Sequence, residues 1–168
     1  MSEKVLVTYG SKYGATEEIA AKVADILIDC GFLTDFLSAR DVEDVSLYKA
    51  VILGSAVYIG QWHKDAVRFI KKNQTELQFI PFWIFSSGPT GEGSPQELVQ
   101  GWQLPKNIQA IVDTIQPRGI TVFHGDLKSD KISGIERWMI GKVNAPIGDF
   151  RNWQDITAWA RSIADSLR

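Results

Sequence analysis

The chain has few of the residues that build disulfides and metal sites. Its 168 residues include one cysteine, Cys30, and two histidines, His63 and His124. A lone cysteine cannot form an internal disulfide, which favours a reducing compartment, and we therefore expect a cytoplasmic protein. Because two histidines and one cysteine are too few for the common ligand sets of zinc, we expect no metal site.

A strong net charge and long apolar runs are also missing. The formal net charge is −2, which excludes the basic face of a nucleic-acid binder and the charge excess of a disordered chain. No run approaches the ~18 apolar residues of a membrane span, and the N-terminus shows no apolar signal core. The length predicts one domain, residues 1–168, that buries roughly 70% of its unfolded surface.

Apolar strands alternate with amphipathic helices along the chain. The pattern predicts strands at 4–9, 33–37, 50–54, 81–86 and 119–123, and helices at 15–30, 62–77, 106–115, 132–143 and 153–167. Asn152 is a suitable N-cap for the last helix, and Gly31 a suitable C-terminal cap for the first. Because the strands are continuous apolar runs, we expect an α/β fold with a parallel sheet covered by helices on both faces.

The segment that follows the first strand predicts a phosphate site. Residues 10–16 form a short loop of small and hydroxyl residues that opens directly into a helix. The first N–H groups of a helix have no internal partner and carry the positive end of its dipole. Ser11 and Thr16 can add hydroxyl donors, and Gly14 lets the backbone come close. The spacing fits neither the dinucleotide fingerprint nor the triphosphate loop.

This loop resembles the flavodoxin phosphate loop, S/T-x-T-G-x-T, which holds the terminal phosphate of FMN. Ser11, Gly14 and Thr16 match the pattern, whereas Tyr13 replaces a threonine and Lys12 adds an unusual cation. The resemblance implies a flavodoxin-like, doubly wound sheet of five strands in the order 2-1-3-4-5, with the ligand beside strands 1 and 3. It implies FMN as the cofactor, with its phosphate held by Ser11, Lys12, Tyr13, Gly14, Ala15 and Thr16.

Two further loops are expected to converge on the same FMN. The predicted contacts are Ser55, Ala56, Val57, Tyr58, Ile59, Gly60 and Trp62 after strand 3, and Ser86, Ser87, Gly88, Pro89, Thr90 and Gly91 after strand 4. Tyr58 and Trp62 are candidates to cover the flavin ring, although Trp62 could equally be a packed residue at a helix start. His63 is the candidate catalytic residue, for proton transfer or carboxylate binding, and its alternative is an exposed position without a role.

The chain also resembles the bacterial menaquinone-linked protoporphyrinogen dehydrogenases and their flavodoxin-domain relatives. The similarity rests on Tyr13, on the aromatic second loop with His63, and on the stretches at 136–140 and 153–160. It implies an inserted segment at about residues 126–151, before the last helix. Basic residues of this segment could meet porphyrin propionates or anionic lipid headgroups: Lys128, Lys131, Arg137, Lys142 and Arg151.

Two functions follow from these resemblances. The first is an FMN-dependent oxidoreductase that transfers electrons through FMN to or from a quinone or a bulky anionic substrate, with a peripheral contact at the inner face of the membrane. The second is a small FMN electron carrier between protein partners. Carriers of the flavodoxin type are typically strongly acidic, because a negative field steers them to basic partners. The net charge of −2 therefore favours the first.

Overall fold

The computed structural model describes residues 3–11, 14–58, 60–88, 104–127, 148–149 and 151–168. The strands are β1 (Lys4–Gly10), β2 (Leu33–Ser38), β3 (Ala50–Tyr58), β4 (Gln61–Trp62), β5 (Phe82–Ser87), β6 (Gly119–Phe123), β7 (Asp126–Leu127) and β8 (Gly148–Asp149). The helices are α1 (Ala15–Asp29), α2 (Lys64–Lys72), α3 (Gln74–Leu77), α4 (Lys106–Ile115) and α5 (Trp153–Leu167), with 3-10 turns at Ala39–Asp41 and Val45–Leu47.

Five parallel strands form the main sheet in the order β2-β1-β3-β5-β6. This order confirms the prediction, because β5 and β6 are the fourth and fifth of the long strands. The short strand β4 was not predicted, and it pairs antiparallel with the end of β3. Strands β7 and β8 pair with each other in a separate antiparallel ribbon at the two ends of the predicted insert.

The two faces of the sheet carry separate hydrophobic cores. Val5, Val7 and Ile52 pack with α1 and α5 on one face, while Leu6 and Leu53 pack with α2 and α4 on the other. Successive side chains of a strand point to opposite faces, so a strand buried on both faces must be apolar throughout. Helices on both faces are therefore confirmed.

Helix α1 ends, and helix α5 begins, at the capping residues predicted from the sequence. Gly31 has a φ of 96°, and the N–H groups of Gly31 and Phe32 donate to Ile28 and Leu27 at 2.9 and 3.0 Å. Glycine adopts this left-handed conformation without strain, which closes the helix. Asn152 accepts from two N–H groups of the first turn of α5, at 3.1 and 3.2 Å, so its predicted capping role is confirmed.

The helix predicted for residues 62–77 is wrong at its start and in its middle. Trp62 belongs to β4, because β3 continues to Tyr58 and turns back at Gly60, which has a φ of 73°. Helix α2 begins at Lys64 and ends before Asn73, whose side-chain amide donates to the carbonyl of Phe69 at 2.9 Å. Such side-chain bonds to the backbone compete with helical ones. The helix predicted at 132–143 lies outside the described residues.

Candidate functional site

The loops after β1, β3 and β5 leave the sheet at the same edge. The register places Gly10 beside Ser55, Ser55 beside Ser86, and Ser86 beside Val122. All four residues stand at or near the carboxyl ends of parallel strands, where ligands of doubly wound sheets bind. The predicted convergence of these loops therefore has its geometric basis in the strand register.

Glycines allow the loops to approach one another closely. A Cβ atom on Gly88 would lie 2.9 Å from the carbonyl oxygen of Val57, and one on Gly125 would lie 3.0 Å from the Cα of Gly88. A Cβ on Gly10 would meet Ala66 and His63 at 3.0 and 3.1 Å. Real Cβ atoms rarely show such distances, so side chains at these positions would push the loops apart.

The predicted phosphate loop has the geometry of an anion cradle at its described positions. Gly14 precedes helix α1 with a φ of 89°, and among the described residues, its chain neighbours aside, no atom lies within 4 Å of the position a Cβ would take. The first helical bond runs from Glu18 N–H to the Gly14 carbonyl at 3.0 Å. The N–H groups of Ala15, Thr16 and Glu17 therefore have no acceptor within the helix. N–H groups at the positive end of a helix dipole suit an anion such as the FMN phosphate.

The two hydroxyl residues of this loop differ in exposure. Ser11 is half-buried, and its Oγ accepts the N–H of Gly14 at 3.0 Å, which leaves the hydroxyl proton able to donate. Thr16 lies in the first turn of α1 with 2% of its surface exposed. Lys12 and Tyr13, the two departures from the flavodoxin pattern, lie outside the described residues.

Tyr9 and Glu17 form a contact beside this loop that the sequence did not indicate. The Tyr9 hydroxyl donates to Glu17 Oε1 at 2.5 Å, and its ring stacks on Phe36 with centroids 5.1 Å apart. Burial raises the pKa of Tyr9 to about 12, and the hydrogen bond to Glu17 adds to the shift. The phenol therefore stays protonated near neutral pH and holds the Glu17 carboxylate as an acceptor.

The second loop is organised around Ser55. The buried Ser55 Oγ accepts the N–H of His63 at 3.0 Å. The same N–H also donates to the carbonyl oxygen of Ala56 at 3.2 Å. These bonds fix the point where the β3–β4 hairpin passes into α2. The backbone of Tyr58 pairs with Gln61 in that hairpin. The Tyr58 side chain and the whole of Ile59 lie outside the described part of the chain.

Trp62 joins the second loop to the third. Its indole is 6% exposed, and Nε1 donates to Ser86 Oγ at 2.9 Å. This burial favours the packing interpretation of Trp62 over a ring that stacks openly on a ligand. Ser86 and Ser87 are also buried, at the end of β5. Pro89, Thr90 and Gly91 lie outside the described residues.

His63 is the N-cap of helix α2. Its Nδ1 accepts the N–H of Asp65 at 3.1 Å and lies 3.7 Å from Asp65 Oδ2. An accepting Nδ1 carries no proton, so a neutral ring in this arrangement has its proton on Nε2. The predicted catalytic role thus competes with a structural one, because a proton on Nδ1 would break the hydrogen bond that caps helix α2.

Arg151 is tied into an ion-pair network at the start of α1. Its guanidinium contacts Asp149 at 2.8 Å and Glu18 at 2.8 Å, and it lies 3.4 Å from the carbonyl oxygen of Ala15. Its side chain is 5% exposed. Hydrogen bonding to Asp149 and then to Glu18 raises the pKa of Arg151 despite its burial. The prediction that Arg151 meets an anionic substrate or lipid is therefore wrong, since its charge is used internally.

A row of cations on α2 escaped the sequence prediction. Lys64, Arg68, Lys71 and Lys72 line a shallow groove of about 680 Å³ together with Val67 and an edge of Trp62. None of the four cations forms an ion pair with a described acidic group. Lys64, Arg68 and Lys71 are spaced by four and three residues, which places them on one face of the helix, so charge periodicity in the sequence indicates the row. The row creates a local positive field along α2, starting next to the second loop.

The described part of the chain contains no group of three or more metal-ligating side chains, and none of its helices is long and apolar enough to cross a membrane. Cys30 is partly buried against the core that α1 and α5 share, as predicted for a packing residue. His124 is buried after β6.

Comparisons with known proteins agree with this architecture. A family model described as a flavodoxin domain matches residues 6–152. The chain is 23% identical over 176 residues to protoporphyrinogen IX dehydrogenase (quinone) of Escherichia coli strain K12, covering 96% of this chain and 94% of that protein. The corresponding protein of Escherichia coli O157:H7 gives the same values.

Solved structures show the same fold at low sequence identity. A flavodoxin from the domain Archaea matches with a TM-score of 0.63 and 13% identity, over 98% of each chain. The rubredoxin:oxygen oxidoreductase of Desulfovibrio gigas matches with a TM-score of 0.65 and 15% identity. That match covers 99% of this chain and 36% of the larger one.

Proposed function

Because the chain belongs to the flavodoxin-domain family, we propose that it is an FMN-dependent oxidoreductase that transfers electrons through FMN to or from a quinone or a bulky anionic substrate. A redox role is the general expectation for this family. The observation that carries the choice of a phosphorylated flavin is the start of α1, which follows Gly14 with its φ of 89°. There the first N–H groups have no acceptor within the helix, and the Ser11 hydroxyl lies nearby. This start stands at the carboxyl edge of the sheet, where FMN would fit.

The chain's own residues would hold the cofactor as follows. The N–H groups of Ala15, Thr16 and Glu17, with the Ser11 hydroxyl, would bind the phosphate. The second and third loops would flank the flavin ring. Tyr58 is the candidate for ring cover, and the buried Trp62 would hold the two loops together through Ser86. When bound, FMN would supply the electron chemistry, while loop N–H groups would tune its potential. His63 remains a candidate for proton transfer through Nε2.

Two observations support a quinone and an anionic substrate. The curated relatives that match almost the whole chain are named as quinone-linked protoporphyrinogen IX dehydrogenases. The cation row on α2 starts at Lys64, next to the second loop, and runs about 12 Å along the helix away from that loop. The cations at its start would attract carboxylate groups to this side of the site. The row would thus supply the positive charge for an anionic substrate that the sequence predicted at Arg151. Lys128, Lys131, Arg137 and Lys142 stay predicted contacts for such a substrate or for anionic lipid.

The domain organisation and location of the protein are part of the same proposal. We place the whole of residues 1–168 in one domain with an insert at about 126–151, in the cytoplasm, with a peripheral contact at the membrane that holds the quinone. The second candidate function is a small electron carrier, which the similarity to flavodoxins supports. A protein redox partner would then replace the quinone and the anionic substrate.

One experiment tests the cofactor and the reaction in sequence. The purified protein is denatured and its released flavin identified by chromatography, and we expect FMN. The FMN-loaded protein is then mixed anaerobically with protoporphyrinogen IX and a menaquinone analogue, and flavin reduction and quinone turnover are followed by absorbance. Release of another flavin, or of no flavin after incubation with FMN, would contradict FMN as the cofactor.

The carrier alternative predicts a different result in that assay. A carrier should show no turnover with the porphyrin substrate and should stabilise a one-electron reduced flavin over a wide potential range. We expect instead turnover and two-electron behaviour in a potentiometric titration. Absence of turnover together with a stable one-electron reduced flavin would contradict the enzyme function and favour the electron carrier.

A further inference from the structure

Arg151 lies far from α1 in sequence but at its N-terminus in space. The residue is 133 positions from Glu18, yet its Nη1 lies 2.8 Å from the Glu18 carboxylate and 3.4 Å from the Ala15 carbonyl. Its Nε and Nη2 donate to the two oxygens of Asp149 at 2.9 and 2.8 Å. Bidentate pairing of this kind fixes the plane of the guanidinium as well as its charge.

The surroundings of Arg151 leave it little freedom. Its guanidinium also lies 4.9 Å from the centre of the Trp153 ring, and its side chain is 5% exposed. The Asp149 and Glu18 side chains are 44% and 53% exposed. The arginine is therefore the buried member of a network whose carboxylates face solvent, and it holds the end of β8, the start of α5 and the first turns of α1 together.

Glu18 presents an electrostatic problem for the proposed cofactor site. It lies about 6 Å along the helix axis from Gly14, at 1.5 Å per residue. That is inside the Debye length of about 8 Å at physiological salt. A carboxylate so close to the phosphate loop opposes a flavin phosphate, which carries about −1.5 to −2 charges at pH 7. The Arg151 guanidinium offsets this charge.

We infer that Arg151 is a positioning residue of the cofactor site, which compensates Glu18 beside the phosphate loop and so favours phosphorylated flavins over riboflavin. The inference rests on the proposed FMN site. Arg151 acts through Glu18 and the position of α1, without a contact to the cofactor. Riboflavin has the same ring and ribityl chain as FMN but no phosphate, so its affinity reports losses from misfolding or from a disturbed ring site. The double variant and the salt dependence separate the charge of Glu18 from a shift of α1.

Charge counting gives an order of affinities. Among the described members of this network, Arg151, Asp149 and Glu18 together carry a net charge of −1. The charge becomes −2 in Arg151→Met, 0 in Glu18→Gln, and −1 again in the double variant. We therefore expect Glu18→Gln to bind FMN most tightly, the wild type and the double variant to be equal, and Arg151→Met to bind most weakly. Each step should change the dissociation constant by about threefold to tenfold at low salt.

The test is flavin fluorescence quenching with FMN and with riboflavin, on the wild type and these three variants. Asp25→Asn is the matched control, since Asp25 is an exposed carboxylate of α1 that lies about 16 Å from Gly14 along the axis. We expect riboflavin affinity to stay within about twofold throughout, and the FMN differences to shrink in 0.5 M salt, because screening is stronger there.

The outcomes separate this inference from the proposed function. Equal loss of FMN and riboflavin in Arg151→Met, or no recovery in the double variant, would overturn the charge compensation and leave the FMN site standing. A wild type that binds neither flavin would overturn the proposed function and the inference with it. If Arg151→Met does not fold, Glu18→Gln decides the question, because a gain in FMN affinity over Asp25→Asn supports the inference and equal affinities overturn it.

Discussion

At the scale of single residues, several side chains in the site do structural work that their type does not reveal. His63 caps α2 through Nδ1, and Trp62 is buried with its indole N–H on Ser86. The sequence could place both residues in the second loop, because that loop follows an apolar strand. It could not decide between ligand contact and support, since the decision depends on Ser86 and Asp65 being within hydrogen-bond distance.

Replacing His63 separates its two roles. Asparagine is a good N-cap residue, so His63→Asn should keep the free energy of unfolding within about 0.5 kcal/mol, whereas His63→Ala should lose about 1 kcal/mol. Urea denaturation measures both. If the imidazole only caps the helix, turnover in His63→Asn should equal that of the wild type. A large drop in kcat in His63→Asn, with unchanged stability, would show that the imidazole takes part in catalysis.

At the scale of elements, the five long strands were predictable and the β3–β4 hairpin was not. Each long strand is a continuous apolar run, and burial on both faces of a parallel sheet requires this. The hairpin contains a strand of two residues, Gln61–Trp62, which is too short for any periodic signal. Its position depends on Gly60 and on the bond from Trp62 to Ser86 of β5.

The bond between Trp62 and Ser86 should couple the hairpin to β5. Removing the donor in Trp62→Phe should lower the free energy of unfolding by about 1–2 kcal/mol. In a double-mutant cycle with Ser86→Ala, we expect a coupling energy of about 0.5–1.5 kcal/mol, measured by urea denaturation. Additive effects of the two substitutions would mean that the indole N–H gains nothing from Ser86.

At the scale of the whole molecule, charge is distributed more unevenly than the total suggests. The net charge is −2, yet α2 places four cations along one groove. Contacts between distant parts of the chain decide where other charges are compensated, as Arg151 and Glu18 show across 133 positions. Neither the direction of the α2 row nor the loss of Arg151 as a surface cation follows from composition, because both depend on tertiary packing.

Neutralising part of the α2 row should weaken the binding of an anionic substrate. We expect Lys64→Gln/Arg68→Gln, at the end of the row next to the second loop, to raise KM for a porphyrin substrate with carboxylate groups by about twofold to fivefold at low salt, with kcat unchanged. The control Lys22→Gln/Arg161→Gln removes the same charge from exposed residues of α1 and α5. Equal KM values in the two variants would show that only net charge matters.

High pH should destabilise the protein through two tyrosines. Burial raises the pKa of Tyr9 to about 12 and that of Tyr48 to about 12, each helped by a carboxylate, Glu17 and Asp35 respectively. A pKa raised above the unfolded value of about 10 favours the protonated form in the folded state. The contribution is therefore complete below pH 10 and is lost as the pH rises towards 12.

Urea denaturation between pH 8 and 11.5 measures this loss. The free energy of unfolding should fall above pH 10, and the fall should be shallower in Tyr9→Phe/Tyr48→Phe. Tyrosinate absorbance of the folded protein should show the late titration directly. The same slope in wild type and variant would mean that other groups cause the alkaline loss of stability.

The central claim is that the N-terminus of α1 holds the FMN phosphate at Gly14, and a matched pair of glycines tests it. Gly14 and Gly31 flank α1 with φ values of 89° and 96°, and a Cβ at either position would meet no atom within 4 Å among the described residues beyond its chain neighbours. Alanine at either position should cost about 1–2 kcal/mol of stability through the left-handed backbone.

The decisive measurement is the FMN dissociation constant of Gly14→Ala and Gly31→Ala, with both variants at equal fraction folded. We predict that Gly14→Ala binds FMN at least about tenfold more weakly than the wild type, because the loop must move to relieve its strain. Gly31→Ala should bind FMN like the wild type. Equal FMN affinity in the two alanine variants would contradict a phosphate site at Gly14.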